Sequence, residues 1–83
     1  MQSKTKVMDL YIEFEDSLYI GAFLDDMKVQ EIAVSDMQVH RGKGTGQEGV
    51  IIFMTIKTKN RVAHSEVIHS LSKAKGINHI EEI

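Results

Sequence analysis

Val50-Ile51-Ile52-Phe53-Met54-Thr55-Ile56-Lys57-Thr58 is the stretch on which the fold turns. Read with a period of two, Val50, Ile52, Met54 and Ile56 share one face, while Ile51, Phe53, Thr55 and Lys57 share the other. It is the most apolar segment of the chain and is expected as a central strand. Its strongest run, Val50 to Met54, falls far short of the ~20 residues that a membrane-crossing helix needs.

Working outward, the preceding Arg-Gly-Lys-Gly-Thr-Gly-Gln-Glu-Gly (41–49) holds four of the six glycines and is expected as a mobile hairpin loop. Before it, 31–40 reads as another strand with a change of parity. Ile32 and Val34 share a face, and Met37 and Val39 share a face of opposite parity. One extra residue near Ser35-Asp36 turns all four inward, so a bulge is expected there. At 7–15, Leu10, Ile12 and Phe14 alternate with Asp9, Tyr11 and Glu13, the pattern of a half-buried strand. Asp16 and Ser17 supply cap chemistry. Ile20, Phe23, Leu24 and Met27 then follow at i, i+3, i+4, i+7, one face of a helix over 18–29. Gly21 inside that helix lowers its propensity by up to about 1 kcal/mol, which points to close packing on the sheet.

Downstream, 58–61 is a polar turn. Ala63, Val67, Leu71 and Ala74, widened by Ile68, form a second helical face running to about Lys75. Lys73 and Lys75 fall in its last turn, where cations suit the macrodipole. Gly76 is the expected left-handed stop, and 77–82 is a short last strand carrying Ile80. Residues 1–6 read as a flexible lead-in and 7–83 as a single domain.

The order is therefore β-α-β-β-α-β. Right-handed crossovers close it into an α+β, ferredoxin-like layout: a four-stranded antiparallel sheet with both helices on one face. The 83 residues leave room for one domain. A composition of 42% hydrophobic and 27% charged residues belongs to a folded globule. The net charge of -2 gives no electrostatic reason to seek nucleic acid or an anionic membrane, and the absence of cysteine excludes disulfides and thiolate chemistry.

Sites are then weighed by elimination, because the layout hosts many functions. In this register Tyr11, Ile51 and Phe53 project from the helix-free face, as the base-stacking aromatics of RNA-binding modules do. Asp9 and Glu13 flank Tyr11, however, and the central strand lacks the basic-aromatic signature. The three residues are read instead as a protein-contact face, with Phe53 as anchor and Asp9, Glu13 and Lys57 as its polar rim. His64 and His69, five apart on a helix, point about 140° away from each other and do not chelate. His40 and His79 fall on separate strands. The acidic pairs show no calcium-loop spacing. Gly-Lys-Gly-Thr-Gly sits between strands and lacks the phosphate-loop spacing. No Ser, His and carboxylate are placed together. The expectation is a domain with no catalytic residues, no cofactor and no metal site.

Three stretches carry a resemblance: Leu-Tyr-Ile-Glu-Phe-Glu-Asp (10–16), Val-Gln-Glu-Ile-Ala-Val-Ser-Asp-Met-Gln-Val-His (29–40), and the run from His64 to Ile83, with its cadence of helix, glycine, short apolar strand and acidic end. In these the chain resembles the ACT-like sensor and interaction domains, and more closely the C-terminal cytosolic domain of MgtC/SapB-family bacterial membrane proteins. The resemblance implies a cytoplasmic domain whose parent lies in the bacterial inner membrane and is linked to magnesium homeostasis and virulence. It implies a regulatory or interaction role, as a homodimer or docked on the parent, with no membrane insertion by this segment. The alternative is an ACT-type amino-acid sensor. Such sensors commonly enter the first helix through a Pro-Gly step, where this chain has Ser17-Leu18-Tyr19.

Overall fold

The computed structural model of the protein describes residues 5–41, 48–59 and 61–83. Strands β1 (Thr5–Phe14), β2 (Ala33–Arg41), β3 (Val50–Lys59) and β4 (Ile77–Glu82) form one antiparallel sheet in the order β2-β3-β1-β4. Helix α1 (Ile20–Val29) joins β1 to β2, and α2 (His64–Ser72) joins β3 to β4. This is the α+β ferredoxin-like layout, with β3 inside the sheet as its apolar alternation requires.

The register explains the core. Leu10, Ile12 and Phe14 of β1 lie opposite Met54, Ile52 and Val50 of β3, and all six are buried. Met8 and Ile56 extend the same face. Phe23 and Met27 of α1 and Val67 and Leu71 of α2 close over it, while Ile20, Leu24, Ile68, Ile77 and Ile80 pack at its margin. The Phe14 and Phe23 rings meet edge to face, 5.2 Å between centroids. Each such fully buried apolar side chain contributes roughly 1.5–3 kcal/mol, so one strand face and two helix stripes hold the domain together.

The helix ends are set locally. The Asp16 side chain accepts from the Leu18 N–H (2.8 Å), capping a single 3-10 turn, Ser17–Tyr19, before α1 proper begins at Ile20. The far end of α1 is a Schellman motif: the Ile32 N–H reaches Met27 O (2.9 Å) and the Glu31 N–H reaches Lys28 O (3.0 Å). Glu31 takes the left-handed position at φ 62°, where glycine is usual, so β2 starts at Ala33 rather than at Glu31. The N-terminus of α2 has half a capping box, in which Glu66 Oε1 accepts from the Ala63 N–H at 3.1 Å.

Several expectations need correction. Gly21 is exposed, and a Cβ there would meet nothing within 4 Å, so it marks no close packing. Helix α2 ends at Ser72, leaving Lys73 as its C-cap and Lys75 beyond it. Gly76 is left-handed (φ 88°), but it closes the turn into β4 and hands its carbonyl to the Glu15 N–H at 2.7 Å. The bulge stands where parity placed it: Val34 faces Ile56 and Asp36 faces Thr55, so Ser35 is the extra residue. Val34, Met37 and Val39 therefore do turn to the helix side. They are nonetheless 39%, 38% and 49% exposed, because β2 is an edge strand, and beside Val34 the end of α1 leaves an open cavity lined by Leu24 and Lys28. The expected mobile loop at 41–49 falls largely on residues 42–47, which lie outside the described residues, as does 1–4 of the lead-in.

Candidate interaction face

The open side of the sheet carries an aromatic row. Tyr11 and Phe53 are directly opposite in the β1–β3 register, and their rings meet edge to face with 5.5 Å between centroids. His40 of β2 stands against Phe53 at 5.7 Å, and His79 of β4 stands against Tyr11 at 6.0 Å. One ring from each strand thus forms the line His40–Phe53–Tyr11–His79 across the whole sheet. Tyr11 and Phe53 come from the β1 and β3 alternations. His79 is brought opposite Glu13 by the β1–β4 ladder, and His40 is brought opposite Ile51 once the Ser35 bulge has shifted the register. Phe53 is 38% exposed, although its neighbours Ile52 and Met54 are buried. Ile51 is half-buried beside the row.

Carboxylates frame the rings. Tyr11 Oη donates to Glu13 Oε2. This bond comes first among the causes that hold the Tyr11 phenol above the ordinary tyrosine range, followed by partial desolvation and the negative charges of Glu13 and Glu81. Glu81 lies opposite Tyr11, and its Oε1 is 2.7 Å from His79 Nε2. Asp9 Oδ1 accepts from Thr55 Oγ1 at 2.7 Å. Asp36, opposite Thr55, lines with Asp9, Gln38, Phe53 and Ile83 a shallow depression along one flank of the row. Lys57, opposite Val7, stands further along the same face.

The structure thus brings Tyr11, Ile51, Phe53, Asp9 and Glu13 together and leaves Lys57 at the far end. The parity reading missed His40 and His79, which it weighed only as metal ligands. Ladder register was the signal that joins them to the row. Elsewhere, Tyr19 closes the 3-10 turn that leads into α1. Its ring lies against Gly76, and Lys75 Nζ sits 6.0 Å above the ring centroid. Among the described residues no three His, Asp or Glu side chains converge as a metal site, and no helix is long and apolar enough to cross a membrane.

A two-layer α+β domain with an open, ring-bearing sheet is the class this geometry defines. Among solved structures, the chain is similar to the C-terminal domain of the MgtC protein from Mycobacterium tuberculosis, known from its solution structure. The match has a TM-score of 0.67, covers 100% of this chain and 90% of that one, and shows 8% sequence identity, so what the two share is the fold. No protein-family model matches the sequence, and no curated protein matches it.

Proposed function

We propose that this chain is a non-catalytic interaction domain that docks through the open face of its sheet. In this reading it is the cytosolic C-terminal part of an MgtC/SapB-like protein of the bacterial inner membrane, linked through that parent to magnesium homeostasis and virulence. The observation that carries the docking reading is the aromatic row itself. A partly exposed Phe53 at its centre, Tyr11 and Ile51 beside it and a charged rim make the anatomy of a contact patch, with an anchor for energy and a rim for orientation. The full-length fold match to the MgtC C-terminal domain supports the parentage. The occupant this reading favours is the parent protein, with a second copy of the domain as the alternative. An amino-acid sensor has less support, since Ser17-Leu18-Tyr19 stands where such sensors commonly have a Pro-Gly step.

Phe53→Asp tests the docking role. The side chain is outside the helix-facing core, so the variant keeps its circular dichroism spectrum, whereas Met54→Asp, one residue away and 3% exposed, unfolds the domain. With the parent's membrane region supplied in detergent, the wild type forms a complex seen by sedimentation and Phe53→Asp does not. A complex equally strong with Phe53→Asp refutes the proposal.

A further inference from the structure

We propose that the occupant of this face is an arginine-bearing segment of a partner protein. The inference rests on the reading of the open face as a docking surface and adds the chemistry of what docks. Four carboxylates, Asp9, Glu13, Asp36 and Glu81, share the face with the ring row. Their partners within the fold leave most of that charge in place. Glu13 accepts from the neutral Tyr11 hydroxyl and Asp9 from the neutral Thr55 hydroxyl, while His79 offsets Glu81 only when protonated. A carboxylate has about four lone-pair positions, so each retains capacity for a further donor. Among the described residues Lys57, opposite Val7, is the lysine of the face and stands beyond Asp9 from the ring row, while Lys59 at the end of β3 is turned to Glu31 at the end of α1.

A row of π faces bordered by uncompensated carboxylates is complementary to a guanidinium. That group stacks on aromatic rings and donates two parallel hydrogen bonds to a carboxylate; a lysine ammonium does neither as well. The same charges disfavour the two other occupants. Phosphates of single-stranded RNA would meet the carboxylates beside Tyr11. A second copy docked face to face about a two-fold axis would press the same four carboxylates against their own kind.

The test is an amide chemical-shift titration of the isotope-labelled chain with capped pentapeptides, Ala-Xaa-Leu-Xaa-Ala, in which Xaa is arginine, lysine, citrulline or glutamate. The arginine peptide should saturably move the amides of Tyr11, Phe53, His79 and Glu81. Lysine should bind at least threefold more weakly and citrulline, arginine's neutral isostere, at least tenfold more weakly. Glu13→Gln with Glu81→Gln, both at exposed or half-exposed positions, should weaken the arginine peptide at least tenfold while leaving the helix amides in place. If citrulline or glutamate moves the same amides as strongly, the face docks but does not read cationic charge, and only this inference falls. If hexauridine binds more tightly than the arginine peptide, or these amides move only on self-dilution, the occupant is RNA or a second copy and the inference is wrong. If the arginine peptide moves no amide of the row, the inference fails by itself, because the Phe53→Asp experiment supplies the parent's whole membrane region rather than a peptide.

Discussion

Gly76→Ala should be among the most damaging single-methyl additions the domain can receive. Gly76 sits at φ 88°, a conformation that costs an L-residue about 1–2 kcal/mol. A Cβ built there would fall 2.8 Å from Tyr19 Cβ and closer still to its ring, which is itself packed on the core margin. Overpacking of that kind costs about 1–3 kcal/mol, since the ring can retreat only by giving up its own contacts. The expected loss is therefore about 2–5 kcal/mol against a total of roughly 4–12 kcal/mol for a domain of this size. Urea unfolding followed by circular dichroism reads it as a lower midpoint at constant slope. The two causes separate in a Tyr19→Ala background. There the clash is gone and Gly76→Ala should cost only the backbone share of about 1–2 kcal/mol. An equal loss in both backgrounds would refute the steric argument, and a loss below about 1 kcal/mol in the wild-type background would refute both.

Three further outcomes follow from particular residues. Glu31→Gly should stabilise the domain by about 0.5–1 kcal/mol in the same assay. It removes a left-handed non-glycine residue, and the Lys59 ion pair lost with it is solvent-exposed. Met37→Lys should change stability by no more than about 1 kcal/mol, whereas Ile56→Lys should unfold the chain, because only the second is buried. The Tyr11 phenol should titrate above ordinary tyrosine in its ultraviolet absorbance; Glu13→Gln should bring it down by removing the charge, and Glu13→Ala should bring it down further by removing the acceptor as well. Since folding raises this pKa, the linked stability is whole below the unfolded tyrosine value and is lost as pH climbs through the folded one. Stability flat across that alkaline window would contradict the assignment.

The alternations of β1 and β3 were legible because one face of each is buried, and a one-residue slip would expose Leu10, Ile12 and Phe14 together. The Ser35 bulge was legible for the same reason, as a parity change between apolar pairs. The exposure of Val34, Met37 and Val39 was not. Alternation tells which way a side chain turns, while its coverage depends on where the helices settle, and at the β2 edge that coverage is incomplete. Glu31 gave no sign of its left-handed backbone, because the Schellman bonds that hold it come from the end of α1 rather than from the residue itself. Gly21 misled because helix propensity carries no information about what lies opposite. Of the site, Tyr11, Phe53 and their acidic flank could be read from parity within single strands. His40 and His79 needed the register between strands, which the β2 bulge and the irregularity at Glu13/Phe14 on the β4 side both shift.

In the proposed docking, the open sheet face, and not the helix layer, meets the partner. Photocrosslinking tests it most directly: p-benzoylphenylalanine in place of Phe53 on the open face, compared with the same group in place of Val29, which is 80% exposed at the end of α1. With the chain fused to the membrane region of the proposed MgtC/SapB-like parent and expressed in bacterial cells, position 53 should give a discrete adduct that Tyr11→Asp abolishes, and position 29 should give none. An adduct at position 29 alone, or equal adducts at both positions that Tyr11→Asp leaves unchanged, would contradict the account.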